Sequence, residues 1–505
     1  YFAPPANIPG TLPVLGTANI SFSVPKNGYQ WSVRGDDYIG QKDRVYAEFM
    51  RTYDTSISAL ARSPLNYDQS NSSDFANADW THTFSPRLLN ELGGNMIRPY
   101  GANLPTANDA IPYINVTGMT GFANWGPGNF TQTTIGWRDV LTAVVKSHTL
   151  KFGFQEDNIR EADSQSGAFD RPTYNFNSIL DFIQDEATSE TGTPVSLLTH
   201  DEAPYNRRYR ALVTGAFVQD DWKVTPRLTV NAGLRFDSMQ NFFSIYSPTL
   251  TNFKFGDGAS YDDQIANGVA GLQNTTHVLN HTVYLFTPRV GFSYDLLGNG
   301  RTALRGGFGM FADQPPYIHI TDITAGNLPN YYTPSINVQS GQTPTFQLCS
   351  APSGFTEVCP VVDTSNVTLN SSGGITGQRA GLGGYSPNYK LTQIDEWSLS
   401  IQHQFTNTLV AEINYSASAA HHLPVFNQDV NRFAGDLIVN KGTLTRLNSN
   451  FGAINYATSD GNSNGNIGSL VVAKQLAHGY SLRGIYSYGK ALDTFSNSGS
   501  LDTGA

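Results

Sequence analysis

Leu228-Thr229-Val230-Asn231-Ala232-Gly233-Leu234-Arg235-Phe236-Asp237 alternates without interruption. Leu228, Val230, Ala232, Leu234 and Phe236 share one face; Thr229, Asn231, Gly233, Arg235 and Asp237 share the other. A period of two belongs to a β-strand whose sheet has one apolar and one polar side. Just upstream, Lys223-Val224-Thr225-Pro226-Arg227 puts Pro where its fixed φ stops a ladder and opens a turn. The same period separates Trp397, Leu399 and Ile401 from Ser398, Ser400 and Gln402. It sets Leu409, Ala411, Ile413 and Tyr415 against Glu412, Asn414 and Ser416, and Tyr480, Leu482, Tyr486 and Tyr488 against Ser481, Arg483 and Ser487. Ten such residues at a ~45° tilt climb roughly 24 Å, close to the apolar band of a membrane-spanning barrel.

Outward from this stretch, the arms come in pairs. Seven hairpins are expected, at approximately 30–53, 75–97, 132–157, 206–237, 287–312, 394–416 and 468–489. Turns inside them span three to seven residues, whereas the connections between them span 21 to 81. A soluble sandwich has no reason to keep every odd connection short and every even one long. A barrel in a membrane does, because one rim faces a confined space and the other carries the binding surface. The expected fold is therefore all-β, an antiparallel transmembrane β-barrel with short periplasmic turns and long extracellular loops. Two arms are weaker: the pattern blurs from Val140 to Val145, and 30–37 is mostly polar.

Composition agrees. Only 14% of the 505 residues are charged, against about a quarter in soluble domains. Aromatics make up 12%, Gly is frequent at 48, and mean hydropathy is −0.30. No apolar run approaches the ~18 residues of a transmembrane helix, which excludes a helical membrane protein and leaves a barrel open. A net charge of −10 without a basic cluster weighs against nucleic acid as a partner. Tyr1-Phe2-Ala3-Pro4-Pro5 lacks an initiator Met and a signal-peptide pattern, and Leu501-Asp502-Thr503-Gly504-Ala505 stops in a polar stretch. Residues 1–505 are accordingly expected to be one partial barrel domain cut from a longer chain. Trp222, Phe84 and Phe405 lie beside turns, where amphipathic rings anchor at a membrane surface.

Several stretches carry a resemblance. Phe217-Val218-Gln219-Asp220-Asp221-Trp222, continuing through Arg227 to Gly233-Leu234-Arg235-Phe236, resembles the QDDW turn and GLRY-like strand of TonB-dependent outer-membrane receptors, and among them the Oar-like barrel. Pro288-Arg289-Val290-Gly291-Phe292-Ser293-Tyr294-Asp295 with Arg305-Gly306-Gly307-Phe308-Gly309-Met310-Phe311 is similar to the next hairpin of that family. Gln393 through Gln404, Ser147-His148-Thr149-Leu150-Lys151-Phe152-Gly153 and Tyr488-Gly489-Lys490-Ala491-Leu492-Asp493 follow in family order. The resemblance implies a Gram-negative outer-membrane location, a barrel of about 22 strands of which about 14 are seen, and a lumen filled by the chain's own plug domain. It implies energised passage driven through the TonB complex, with outer-membrane lipid, an unknown substrate and that plug as partners. No plug, TonB box or aromatic C-terminal residue is recognised within 1–505.

Candidate sites follow from the faces. Asn231, Arg235, Arg305, Gln402, Gln404, Glu412 and Arg483 fall on expected inner faces, where the family's lumen wall meets the plug or the substrate. Cys349 and Cys359, the only cysteines, share the longest loop with nine residues between them; outside a barrel the space is oxidising, and a disulfide is expected. No metal site or cofactor is expected. His421-His422 and His319 are read as loop or rim residues, as is His82. Residues 176–186 break the β pattern, with Ser178 capping a short helix whose face is Ile179, Leu180, Phe182 and Ile183. Asp36-Asp37 and Asp220-Asp221 are neighbours and point to opposite faces, so they cannot share a proton. Without a G-x-S-x-G elbow or H-E-x-x-H motif, no enzyme is expected. The leading expectation is an outer-membrane transporter barrel taking up, or exporting, a substrate. Its alternative is a surface adhesion or interaction protein that displays large loops; a soluble carbohydrate-binding protein fits the turn-flanking aromatics poorly.

Overall fold

The computed structural model describes residues 20–494 apart from 63–64, 106–112, 123–127, 165–172, 185, 193, 202, 204–205, 241–242, 245–249, 274–281, 314–322, 325, 338–363, 387, 434–444 and 478. Cys349, Cys359 and His319 lie outside the described residues.

Fourteen strands build the wall. They are β1 Lys26–Ile39, β2 Asp43–Ser58, β3 Tyr67–Ser85, β4 Leu88–Pro105, β5 Gly128–Val145, β6 His148–Ser164 and β7 Asn206–Thr225. They continue as β8 Leu228–Met239, β9 Val283–Asp295, β10 Thr302–Asp313, β11 Thr392–Gln404, β12 Leu409–Asp429, β13 Phe451–Ala477 and β14 Tyr480–Asp493. Each pairs antiparallel with its neighbours along the chain, giving one long meander. The sheet is not closed: β1 pairs only with β2, and β14 only with β13. The seven connections within hairpins are two to six residues long; those between hairpins run from eight to 78.

Local chemistry makes the short turns. The Thr225 hydroxyl accepts from the backbone N–H groups of Arg227 and Leu228, and that of Thr406 from Thr408 and Leu409. Asp295 takes the N–H groups of Gly298 and Gly300 at 3.0 and 2.9 Å, closing a turn whose two glycines adopt positive φ.

The strands are longer than the apolar alternation suggests, at 12 to 27 residues. The outer face shows why. On β2 and β3 its apolar belt runs from Asp43 and His82 beside the turns, through Val45, Trp80 and Phe49, to an Arg51–Asp74 ion pair eight residues higher. Eight residues at ~45° rise roughly 19 Å, and above that height charges appear on the outer face. The upper ends of the strands therefore stand in water, where the ladder continues but the lipid pattern does not. Acids interrupt the belt at Asp37, opposite Val45, at Asp220, opposite Leu150, and at Asp139, which accepts from Asn90 at 2.7 Å.

The long loops fold into a layer of their own. A five-stranded sheet joins Ser335–Asn337, Ser189–Thr191, Thr173–Phe176, Tyr113–Val116 and Met119–Phe122 in that order. The pair Leu250–Lys254 and Val269–Gln273 flanks a helix, Tyr261–Ala266, started by a Ser260–Asp263 capping box. A second short helix, Ile179–Gln184, is capped by Ser178 as expected, but its apolar face is narrower. Ile179 and Phe182, three apart, pack on Val116, Tyr174 and Phe176, whereas Leu180 and Ile183 are 62% and 73% exposed. His421-His422 also differ from expectation: β12 runs past them to Asp429, and they sit at a bulge where His422 has φ of 59°.

This layer is held by buried asparagines. Asn252 exchanges two hydrogen bonds with the backbone of Tyr385, as a strand partner would. Asn327 donates to Thr251 and Gly383 carbonyls and accepts from the Gly383 N–H. Asn448 donates to Ile265 and Gly268 carbonyls, while its own N–H reaches the Asn431 side chain. All four are 4% exposed or less. Four loop segments distant in sequence are thereby joined through satisfied amides. Replacing Asn448 with Ala removes its amide from the Gly268 carbonyl and from that of Ile265, which keeps the Gly268 N–H, at about 1–3 kcal/mol in all. The expected result is faster proteolysis of the loops with the folded, heat-modifiable wall retained; equal loss of wall and loops would show that the layer has no stability of its own.

Candidate functional site: the inner face of the wall

Because facing residues in a ladder share a side, the register sorts the wall. One parity carries Trp31, Trp80, Trp137, Val218, Leu234, Phe286, Val290, Trp397, Leu399, Tyr415 and Tyr486, all exposed and facing outward. The other is mostly polar and faces the lumen. Asp36 falls on the inner side and Asp37 on the outer, as the alternation requires. Likewise Asp221 contacts Asn231 inside, and Asp220 meets His148 outside at 2.7 Å.

All seven expected lumen residues lie on the inner parity. They form two groups. On β8, Asn231 donates to Asp221 and Arg235 donates to Asp237 at 2.8 Å, two residues along the same face. On β10 to β12, Arg305 donates to Gln402 at 3.1 Å, and Gln402 stands directly opposite Glu412. One step nearer the turns, Gln404, Val410, Ala473 and Arg483 share one cross-strand row, which carries the polar surface toward β14. A cavity of about 980 Å³ lies against β9 to β14, and its inner-face border includes Arg289, Glu396, Ser398 and Ser416. The Arg289 guanidinium rests over the Phe311 ring.

The densest inner network is elsewhere, on β1 to β5, and the sequence reading does not include it. Arg34 donates twice to Asp36, at 2.7 and 3.0 Å, and Arg44 adds a third bond at 3.0 Å. Arg34 also lies over the Tyr46 ring. Asn77 bridges the Tyr46 hydroxyl and the Asp79 carboxylate, and Arg138 reaches Asp79 at 3.0 Å. Glycine makes the room. A Cβ on Gly93 would fall 2.4 Å from an Asp79 oxygen, and one on Gly136 would fall 2.1 Å from Asp157, so these polar side chains lie flat across a neighbouring strand.

Higher up, the same face changes character. Ile159, Ala211, Val213 and Met239 occupy inner positions and are buried, because Tyr385, Tyr389, Leu391 and Phe426 cover them. The loop layer thus docks into the mouth of the wall, on its inner side. Burial raises the phenols of Tyr389 and Tyr332 above their usual range and keeps them neutral. Among the described residues, no group of three or more His, Cys, Asp or Glu converges to hold a metal ion.

An antiparallel meander with a lipid-facing belt, a polar inner face and long loops at one rim is what the family model described as outer membrane beta barrel domain captures, and that model matches residues 2–505. The chain belongs to this family. As an outer-membrane β-barrel it resembles several solved transporters. These include YddB from Escherichia coli (TM-score 0.52, 11% identity, covering 92% of this chain and 48% of that one). The copper transporter OprC gives 0.50 at 13% identity, over 92% of this chain and 53% of OprC. The FrpB iron transporter from Neisseria meningitidis (F5-1 variant) gives 0.50 at 11%, over 94% and 55%. At such identities the likeness is one of fold, and the chain spans about half the length of these structures. No curated protein matches it.

The Asp79–Arg138 pair is asymmetric: the carboxylate is 8% exposed and the guanidinium side chain 60%. Losing the arginine leaves a buried charge with a weaker partner, whereas losing the acid frees an arginine that water already reaches. Arg138→Met is therefore expected to cost more than Asp79→Asn, by about 1–3 kcal/mol, in urea titrations of the barrel folded in vesicles. The opposite order would contradict this account of the pair.

Proposed function

We propose that this outer-membrane β-barrel is the wall of a TonB-dependent transporter, with loops that capture a substrate and an inner face that seats a plug domain. The observation that carries the reading is the docking of the loop layer onto the inner face around Met239 and Tyr385. A ligand held by the loops would stand directly above the polar lumen. In that lumen, Asn231, Arg235, Arg305, Gln402, Gln404, Glu412 and Arg483 are the plug- or substrate-facing groups. Arg305, Gln402 and Glu412 offer donors and acceptors side by side, suited to a polar surface sliding past. Copper and iron are what OprC and FrpB are named for; for this chain they define the first probes rather than the substrate. Either direction of passage fits the same wall.

A second reading has its own support. Leu180 and Ile183 on the short loop helix, with Leu198 nearby in sequence, are exposed apolar groups of the kind that contact another surface. They favour a display protein whose loops bind a partner at the cell surface.

Cells carrying the full chain, its deletion, or the Arg305→Ala/Glu412→Ala variant separate the two. Each is offered copper, ferric chelates or oligosaccharides with the TonB system intact or disabled. The transporter reading expects one solute whose uptake needs both the chain and TonB and falls several-fold in the double variant at equal barrel abundance. Uptake that ignores TonB, with attachment lost on deletion, would replace it with the display reading.

A further inference from the structure

The seven short turns carry a charge bias opposite to that of the chain. Acidic residues outnumber basic ones 41 to 31 overall. Yet Lys42, Arg87, Lys146, Arg227 and Arg301 all sit in the turns, each exposed, and no turn contains Asp or Glu. Among the described residues none of the five makes an ion pair. Lys474, beside the last turn, lies over the Tyr480 ring at 4.5 Å.

Immediately above the cations, on the outer face, stand aromatic rings, and three of them are each packed against a histidine. Phe84 meets His82 at 4.5 Å, Phe405 meets His403 at 4.5 Å, and Trp222 stacks on His148 at 5.3 Å. Each imidazole is fixed through Nδ1, to Asp43, to the Thr302 hydroxyl and to Asp220 respectively. Asp43 also accepts from the Trp80 indole. Asp43 and Asp220 at this height are therefore engaged by neighbours, while the cations below them make no ion pair. Rings of this kind settle at the headgroup level of a bilayer, which places the free cations at the phosphates of the leaflet facing the short turns.

We propose that the turn rim is a collar for anionic phospholipid headgroups of the inner leaflet: the His–aromatic pairs set its depth, and the turn residues Lys42, Arg87, Lys146, Arg227 and Arg301 hold lipid phosphates. Charge complementarity selects this occupant. A juxtamembrane cation gains about 1 kcal/mol at an anionic membrane surface, and the gain fades within a Debye length. Five cations spread around one rim hold several lipids side by side rather than one in a pocket. The collar fixes the barrel's height and tilt in the membrane independently of what passes through the lumen.

The test uses the full chain, folded as shown by heat-modifiable migration, in phosphatidylcholine nanodiscs doped with fluorescent phosphatidylglycerol. Three proteins are compared: wild type, Lys42→Gln/Arg87→Gln/Lys146→Gln/Arg301→Gln, and a loop-rim control, Lys390→Gln/Arg432→Gln. Phosphatidylglycerol enrichment around wild type and control is expected to be about tenfold above that around the quadruple variant, and to vanish at ~0.5 M salt. Equal enrichment in all three would overturn the collar. So would a loss confined to the loop-rim control, which would put the anionic lipid in the other leaflet. Full displacement of the lipid by ~10 mM inorganic phosphate would also overturn it, because a site so easily emptied binds free anions rather than a membrane.

Discussion

A backbone amide in hydrocarbon has no water to turn to, and an unpaired one costs several kcal/mol. Nearly everything in this wall follows from that constraint. It favours antiparallel neighbours joined by the shortest possible turns, because each hairpin then satisfies its groups locally. It keeps the register unbroken through the belt: β2 and β3 pair from Asp43–His82 to Ser58–Tyr67 without a shift. The shifts between β12 and β13 come between Ala420 and Gln428, at the loop end, and those at Thr83/Ser85, Lys223/Thr225 and Lys474/Ala477 lie beside the short turns. It also bears on the two edges. β1 and β14 pair on one side only, and each is exposed along its whole length. A strand edge of fourteen residues cannot remain bare in a bilayer, so in the membrane both edges are covered by further pairing.

The two faces of the ladder meet different solvents, and this divides their energetics. Outside, lipid rewards apolar area without selecting fine geometry, so Trp, Phe, Leu and Ile interchange along the belt. Inside, polar groups at close quarters must be paired. The structure does this by laying long side chains across glycines of the adjacent strand. Asp79 over Gly93 and Arg235 over Gly215 are two instances of one device. Such pairs cross between strands, so the inner face also resists sliding of one strand on the next.

This division explains what could be read from the residues. The hairpins show because the lipid–lumen contrast writes a period of two into stretches such as Leu228–Asp237. Above the belt the contrast disappears: Asp68-Gln69-Ser70-Asn71-Ser72-Ser73 is polar on both sides, and nothing in it announces that β3 already runs there. Lumen residues on single strands are legible as members of a face, as Arg235 and Arg305 are. The Arg34–Asp36–Asp79–Arg138 network is not, because it joins strands far apart in the chain through a register known only once the sheet is drawn. One local signal was available: Arg34-Gly35-Asp36 and Arg235-Phe236-Asp237 both set opposite charges two residues apart, the spacing that shares a face. The loop core is hidden for a different reason: its apolar members, such as Phe253, Ile265, Leu382 and Phe451, are scattered over distant loops without a period, and Asn252, Asn327, Asn431 and Asn448, which join those loops, look like ordinary loop polarity.

The rims are built by opposite strategies, and that has a consequence for specificity. At the turn rim the chemistry is local: a hydroxyl or carboxylate two to five residues away accepts from the backbone at four of the turns, those at Ser85, Thr225, Asp295 and Thr406. At the loop rim, contacts such as Asn448 with Ile265 bridge 183 residues, and the loops rest on inner wall positions such as Ile159, Val213 and Met239 and on the upper end of β13, where Ala380–Tyr385 pairs in parallel. Provided those inner positions stay apolar and the bridging amides stay paired, the loop surface can change without disturbing a hydrogen bond in the bilayer. A wall fixed by the lipid and a loop layer fixed by its own small core are therefore separable in energy, so the surface that meets the outside can vary while the fold beneath it stays the same.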